Sequence, residues 1–102
     1  MKYIYLIQSL EEGYYKIGVS KNPQRRIKEL QTGNSSPLKL VETYQSEYAD
    51  KIERTLQRRY SHLNKEGEWF DMSIQEEVMF VKNCKAIEEN LIFLKKNDNV
   101  FI

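Results

Sequence analysis

The sequence predicts an α+β domain: a small three-stranded antiparallel sheet flanked by helices, with elements in the order β-β-α-β-α-α. Three observations carry that reading. Lys2 to Gln8 and Tyr14 to Val19 are short alternating runs rich in β-branched and aromatic residues, joined by a polar loop from Ser9 to Gly13, as in a hairpin. Asn22-Pro23 supplies a helix N-cap followed by proline at the first helical position. Beyond Ser73, Phe80, Cys84, Ile87, Leu91 and Leu94 recur at intervals of four, three, four and three, the period of a long amphipathic helix.

In chain order, the first strand places Ile4 and Leu6 on one face and Tyr3, Tyr5 and Ile7 on the other. The second places Tyr15, Ile17 and Val19 on one face and Tyr14, Lys16 and Gly18 on the opposite one. If the two pair, one face is core and the other sets Tyr5 and Lys16 beside a glycine, a candidate active-site wall. The helix from Pro23 to Thr32 is expected to bury Ile27 and Leu30 and to end at Gly33 as its C′ residue. Arg25, Arg26 and Lys28 fall in its first turns, where backbone N–H groups already favour an anion, so a phosphate would resolve the electrostatic conflict.

After a loop from Asn34 to Pro37, a third strand runs from about Leu38 to Tyr44, with Leu38, Leu40 and Glu42 alternating with Lys39, Val41 and Thr43 and only partial cover expected. Ser46 is the expected N-cap of a second helix whose Ala49, Ile52, Leu56 and Tyr60 form the buried stripe. Glu53 lies beside that stripe, and Arg54, Arg58 and Arg59 flank it. Ser61 to Asp71 reads as a connection in which Trp69 and Phe70 cover the core and Glu68 is either exposed or a second carboxylate near the site. Ser73 and Glu76 have the spacing of a capping box opening the third helix, and Asn97 to Ile102 reads as a loose tail, with Val100, Phe101 and Ile102 apolar enough to dock.

Composition bounds the function. A chain of 102 residues fits one domain with a modest core, and four glycines and two prolines exclude a low-complexity or collagen-like chain. The net charge of +1 conceals an asymmetry: residues 1–64 hold 11 Lys or Arg against 7 Asp or Glu, whereas residues 65–102 hold 5 against 8. Such mild electrostatics predicts weak, salt-sensitive nucleic-acid binding, not a general DNA-coating protein. Cys84 has no partner for a disulfide, and His62 is the single histidine, so a metal site built on His and Cys is not expected. The start is too quickly polar for a signal peptide and no apolar run spans a bilayer, which predicts a cytoplasmic protein without membrane contact, in the host cytoplasm if a virus encodes it.

Five segments together resemble the GIY-YIG endonuclease superfamily, and within it the small T5orf172/MUG113-like branch of viruses and bacteria. They are Tyr3 to Ile7, Tyr15 to Gly18, Asn22 to Arg26, Leu30 to Asn34 and Gly67 to Phe70, in the branch's order. The likeness covers about residues 1–71, which makes the helix over about 73–96 an addition to a single domain. It implies a metal-dependent endonuclease that hydrolyses DNA phosphodiester bonds and is carried by a phage or mobile element, with RNA left open as a substrate. It implies Tyr5, Lys16, Arg26 and Glu53 as catalytic residues, with Glu53 holding one Mg2+ or Mn2+ ion and Lys21, Arg25, Lys28 and Arg58 contacting nucleic acid.

In that scheme Tyr5 accepts the proton of the attacking water, polarised by Lys16 directly across from it, and Arg26 grips the phosphate oxygens. The chain departs from the family pattern at three places: Tyr3 stands for a glycine of the first motif, Lys16 for a tyrosine of the second, and Gln57 for a histidine often found after the metal glutamate. The alternative is a weakly active or inactive module of the same fold that binds nucleic acid or a protein partner, for instance in viral counter-defence. The apolar C-terminal helix leaves a homodimer or another protein partner open.

Overall fold

The computed structural model describes residues 1–97, so most of the expected tail lies outside the described residues. Strands β1 (Lys2–Ser9) and β2 (Tyr15–Ser20) form the expected antiparallel hairpin, in a register that pairs Ile4 with Val19 and Leu6 with Ile17. Its turn closes through Gly13, whose φ of 79° lies in the left-handed region, and through bonds from Ser9 N to the Tyr14 carbonyl (2.9 Å) and from Gly13 N to the Ser9 carbonyl (2.7 Å). Helix α1 (Pro23–Thr32) follows, with Pro23 in its first turn and the Asn22 side chain accepting from Arg25 N at 3.1 Å. Gly33 does end the helix, but at an ordinary φ of −94° rather than in the left-handed conformation of a C′ glycine.

Strand β3 (Leu38–Ser46) pairs with the other edge of β1 and shifts register between Leu6 and Ile7, so Val41 is an extra residue. The bulge breaks the expected alternation: Leu40 stays opposite Ile7, while Val41 packs against the main core. Ser46 closes β3 instead of capping a helix; its hydroxyl accepts from Tyr48 N at 3.0 Å, and helix α2 (Ala49–Arg59) begins after Tyr48 without a side-chain cap.

The sheet has five strands, not three, in the order β3-β1-β2-β5-β4. Behind α2, a 3-10 turn (Ser61–Leu63) leads into β4 (Asn64–Glu66) and β5 (Trp69–Phe70), a hairpin in the stretch expected to be a connection. Gly67 turns it at a φ of 57°, and the Asn64 side-chain amide donates to the Gly67 carbonyl at 2.7 Å. These strands have two or three residues each and little apolar periodicity; they exist because β5 satisfies the free edge of β2 through Tyr15 and Lys16. The expected single C-terminal helix is two, α3 (Ile74–Val78) and α4 (Phe80–Lys96), divided at Met79, with the Ser73–Glu76 capping box present. Among the described residues no helix is long and apolar enough to cross a membrane.

Both faces of β1 are covered. Ile4 and Leu6, with Tyr15 and Ile17 of β2, pack against Ile52 and Leu56 of α2 and Phe80, Cys84 and Ile87 of α4. Tyr5 and Ile7 are also buried but stand apart from that cluster, on the face where α1 lies against the strands. Val19, Ile27 and Leu30, expected to be largely buried, are only partly so. Two tyrosines pin the C-terminal helices to the sheet: Tyr15 Oη donates to Glu77 Oε1 at 2.6 Å and Tyr44 Oη to Glu88 Oε1 at 2.7 Å.

Burial first, then the bonded carboxylate, pushes both phenols up to about 12. In the unfolded chain they ionise near pH 10. Between those values the unfolded state binds fewer protons, so stability that is fully present below pH 10 is lost as pH rises towards 12. Urea denaturation across that range is expected to show the decline, and Tyr15→Phe to flatten it while costing about 1.5–3 kcal/mol at neutral pH. An identical pH profile in Tyr15→Phe would show that this pin is not the cause.

Candidate functional site

The central feature lies on the β2 side of the hairpin. Tyr5 pairs with Gly18, and a Cβ on Gly18 would land on the Tyr5 hydroxyl and ring carbon Cζ, so the ring lies across the glycine. Glycine is required there by close approach, since its φ is ordinary. The Tyr5 hydroxyl makes no hydrogen bond among the described residues. No buried side-chain polar atom among them lacks a partner, so the tip of this otherwise buried tyrosine reaches solvent.

Lys16 is not directly across from Tyr5. The register sets it opposite Ile7 and, on the other side, opposite Trp69, two positions along from Gly18 and on the same sheet face. Its ammonium donates to Glu68 Oε2 at 2.6 Å and lies 5.7 Å from the centroid of the Trp69 ring, while its side chain is only 11% exposed. Glu68 is thus both of the things the sequence left open: exposed, and a carboxylate at the site. The missed signal was the Asn64–Gly67 turn, which brings Glu68-Trp69 back along β2.

Glu53 comes to the same place from α2. Gln57, one turn further along that helix, donates to the Ile17 carbonyl at 3.2 Å and fixes α2 against β2. Glu53 is half-buried and makes no hydrogen bond or ion pair among the described residues. Loss of water pushes its carboxyl up first, the charges of Glu68 and Asp50 add to the effect, and Arg54 and Lys16 oppose it. A half-buried carboxylate without a bonded partner, crowded by like charges, is one that a cation would relieve.

Among the described residues no three His, Cys, Asp or Glu side chains converge as a metal cluster.

The remaining candidates are distributed. Arg26 is half-buried on α1 and its guanidinium is without a carboxylate partner among the described residues. Lys21, Arg25 and Lys28 are exposed, and Lys21 lines a cavity of about 430 Å³ at the start of α1 with Tyr3, Asn22 and Thr43. Arg58 lines a different cavity, beside α2. The structure therefore brings Lys16, Glu53 and Glu68 into one electrostatic group and sets Tyr5 on the same sheet face as Lys16. It assigns the four expected nucleic-acid contacts to two separate surfaces.

A family model described as T5orf172 domain matches residues 2–87. No curated protein and no solved structure matches the chain.

Gly18→Ala is expected to drive the Tyr5 ring off β2 at a cost of about 1–3 kcal/mol, the range for overpacking. A crystal structure with an unmoved ring would refute the close-packing account. Glu68→Gln removes a like charge from Glu53 and frees Lys16, so the Glu53 titration midpoint is expected to fall, as read from carboxyl NMR of the metal-free protein. An unchanged midpoint would show that the two carboxylates are not coupled.

Proposed function

The chain belongs to the T5orf172 domain family, which is associated with nuclease-like domains, and we propose that it is a metal-dependent endonuclease hydrolysing DNA phosphodiester bonds. The observation that carries this reading is the half-buried Glu53, without a bonded partner among the described residues, set into the electrostatic group of Lys16 and Glu68 at the edge of β2.

Glu53 would hold the cation, and Glu68, whose charge acts on Glu53, would add to the negative potential there. A divalent ion bound there would supply Lewis-acid stabilisation of charge on the phosphate and on the departing 3′ oxygen. The chain's own groups supply the rest. Tyr5, whose hydroxyl reaches solvent, relays a proton: its oxygen takes the proton of the attacking water while its own passes outward. The new phosphorus–oxygen bond forms as the bond to the 3′ oxygen breaks, and that oxygen leaves with a proton from solvent. Arg26, without a carboxylate partner among the described residues, binds non-bridging phosphate oxygens in the ground state and the transition state alike. Lys16 shares the sheet face with Tyr5, and its ion pair with Glu68 anchors β5 beside the site.

With labelled DNA and Mg2+ or Mn2+, Glu53→Gln is expected to abolish cleavage while leaving folding and DNA affinity nearly intact, because it removes one ligand charge at constant size. Tyr5→Phe should spare binding and lose roughly 10²–10⁴-fold in rate, the range for a positioned proton-transfer group. Arg26→Ala should lose both rate and affinity. Cleavage unaffected by Glu53→Gln would remove the metal assignment. No cleavage by the unaltered protein with either metal would leave a nucleic-acid-binding module of the same family.

A further inference from the structure

Helix α2 presents three different rows of side chains. Ala49, Ile52, Leu56 and Tyr60 face the core; Glu53 and Gln57 form the next row, against β2; and Lys51, Arg54 and Arg58 form a third row on the far side of Gln57. This third row lines a groove of about 650 Å³, completed by Thr55, Ser61 and, from α4, Leu91. No carboxylate lines it. The ion pairs among the described residues, Lys2 with Asp50 and Lys16 with Glu68, involve none of the three cations.

Helix stability does not account for the row. Arg58 lies in the last turn of α2, where a cation is favoured by the helix dipole, but Lys51 lies in the first turn, where it is not. Lys51 and Arg58 are seven residues apart, about 10 Å along the axis, a span from which the long side chains of the row can reach successive phosphates of one DNA strand. The hydroxyls of Thr55 and Ser61 in the same groove add the neutral hydrogen-bonding groups that commonly accompany cations on a phosphate backbone.

We propose that this groove holds the DNA backbone next to the cleaved bond, with Lys51, Arg54 and Arg58 each neutralising a phosphate and Gln57 marking the boundary with the reaction site. The inference rests on the endonuclease reading for the identity of the strand, but it concerns binding and is tested without turnover. It divides the substrate footprint into two parts: the Glu53 site, where charge is handled during reaction, and the α2 groove, which holds the strand.

The test measures binding of a fluorescent DNA duplex to the full chain by anisotropy, without metal and over a series of salt concentrations. Lys51→Gln, Arg54→Gln and Arg58→Gln combined are expected to flatten the slope of log affinity against log salt by roughly 2–3, at about 0.9 for each phosphate no longer neutralised. The charge-conserving set Lys51→Arg, Arg54→Lys and Arg58→Lys is expected to keep the slope, and circular dichroism controls for folding. With metal added, the neutralised variant should show a raised KM. An unchanged slope in a folded neutralised variant overturns the groove even if the protein cleaves DNA, and so does failure of the unaltered protein to bind. A flattened slope in a protein that never cleaves supports the groove and rejects the hydrolytic reading instead.

Discussion

Four consecutive residues, Ile4 to Ile7, are all buried, and this is the constraint on which the rest of the molecule depends. Successive side chains of a strand point to opposite faces, so such a run demands cover on both sides of the sheet. Helices α2 and α4 supply it for Ile4 and Leu6, and α1 for Tyr5 and Ile7. With β2 and β3 on its two edges, β1 has no free backbone left. The site is built on β2 and α2, the strand and the helix that lie next to this fixed centre.

Packing and electrostatics meet at Tyr5. The outer end of its ring lies against Gly18, while the hydroxyl stays in reach of water. A tyrosine placed by sterics instead of by a hydrogen bond keeps its oxygen free for chemistry. Lys16 is the converse case, since its ammonium is committed to Glu68 and its stem to Trp69. The exposed Glu68 keeps that pair in partly aqueous surroundings, where ion pairs contribute little to stability. Its consequence is local: it ties the β4–β5 hairpin to β2 and brings a second negative charge near Glu53.

Helix α2 shows how one element serves several purposes through its periodicity. One row closes the core, the next brings a carboxylate to the sheet edge, and the third leaves cations in the open. Gln57 has a structural duty at the Ile17 carbonyl. Its amide satisfies a backbone acceptor just beyond the two residues of β2 that pair with β5.

The hairpin, the Asn22-Pro23 start of α1, the core stripe of α2 and the Ser73–Glu76 cap were all legible in the amino-acid sequence, because each is set by interactions within a few residues. The T5orf172 family was legible too, from short motifs in a fixed order along the chain. Tertiary structure alone decided the rest. Strands β4 and β5 are too short to declare themselves and form by completing the edge of β2, which also converts Glu68 from an undecided carboxylate into the partner of Lys16. The register set Gly18 across from Tyr5 and moved Lys16 two places along, and the bulge at Val41 let β3 serve both faces. Local pattern determined which segments are strands and helices. Only the meeting of distant segments determined which charges became neighbours, because edge pairing, register and helix docking are satisfied between elements and not within them.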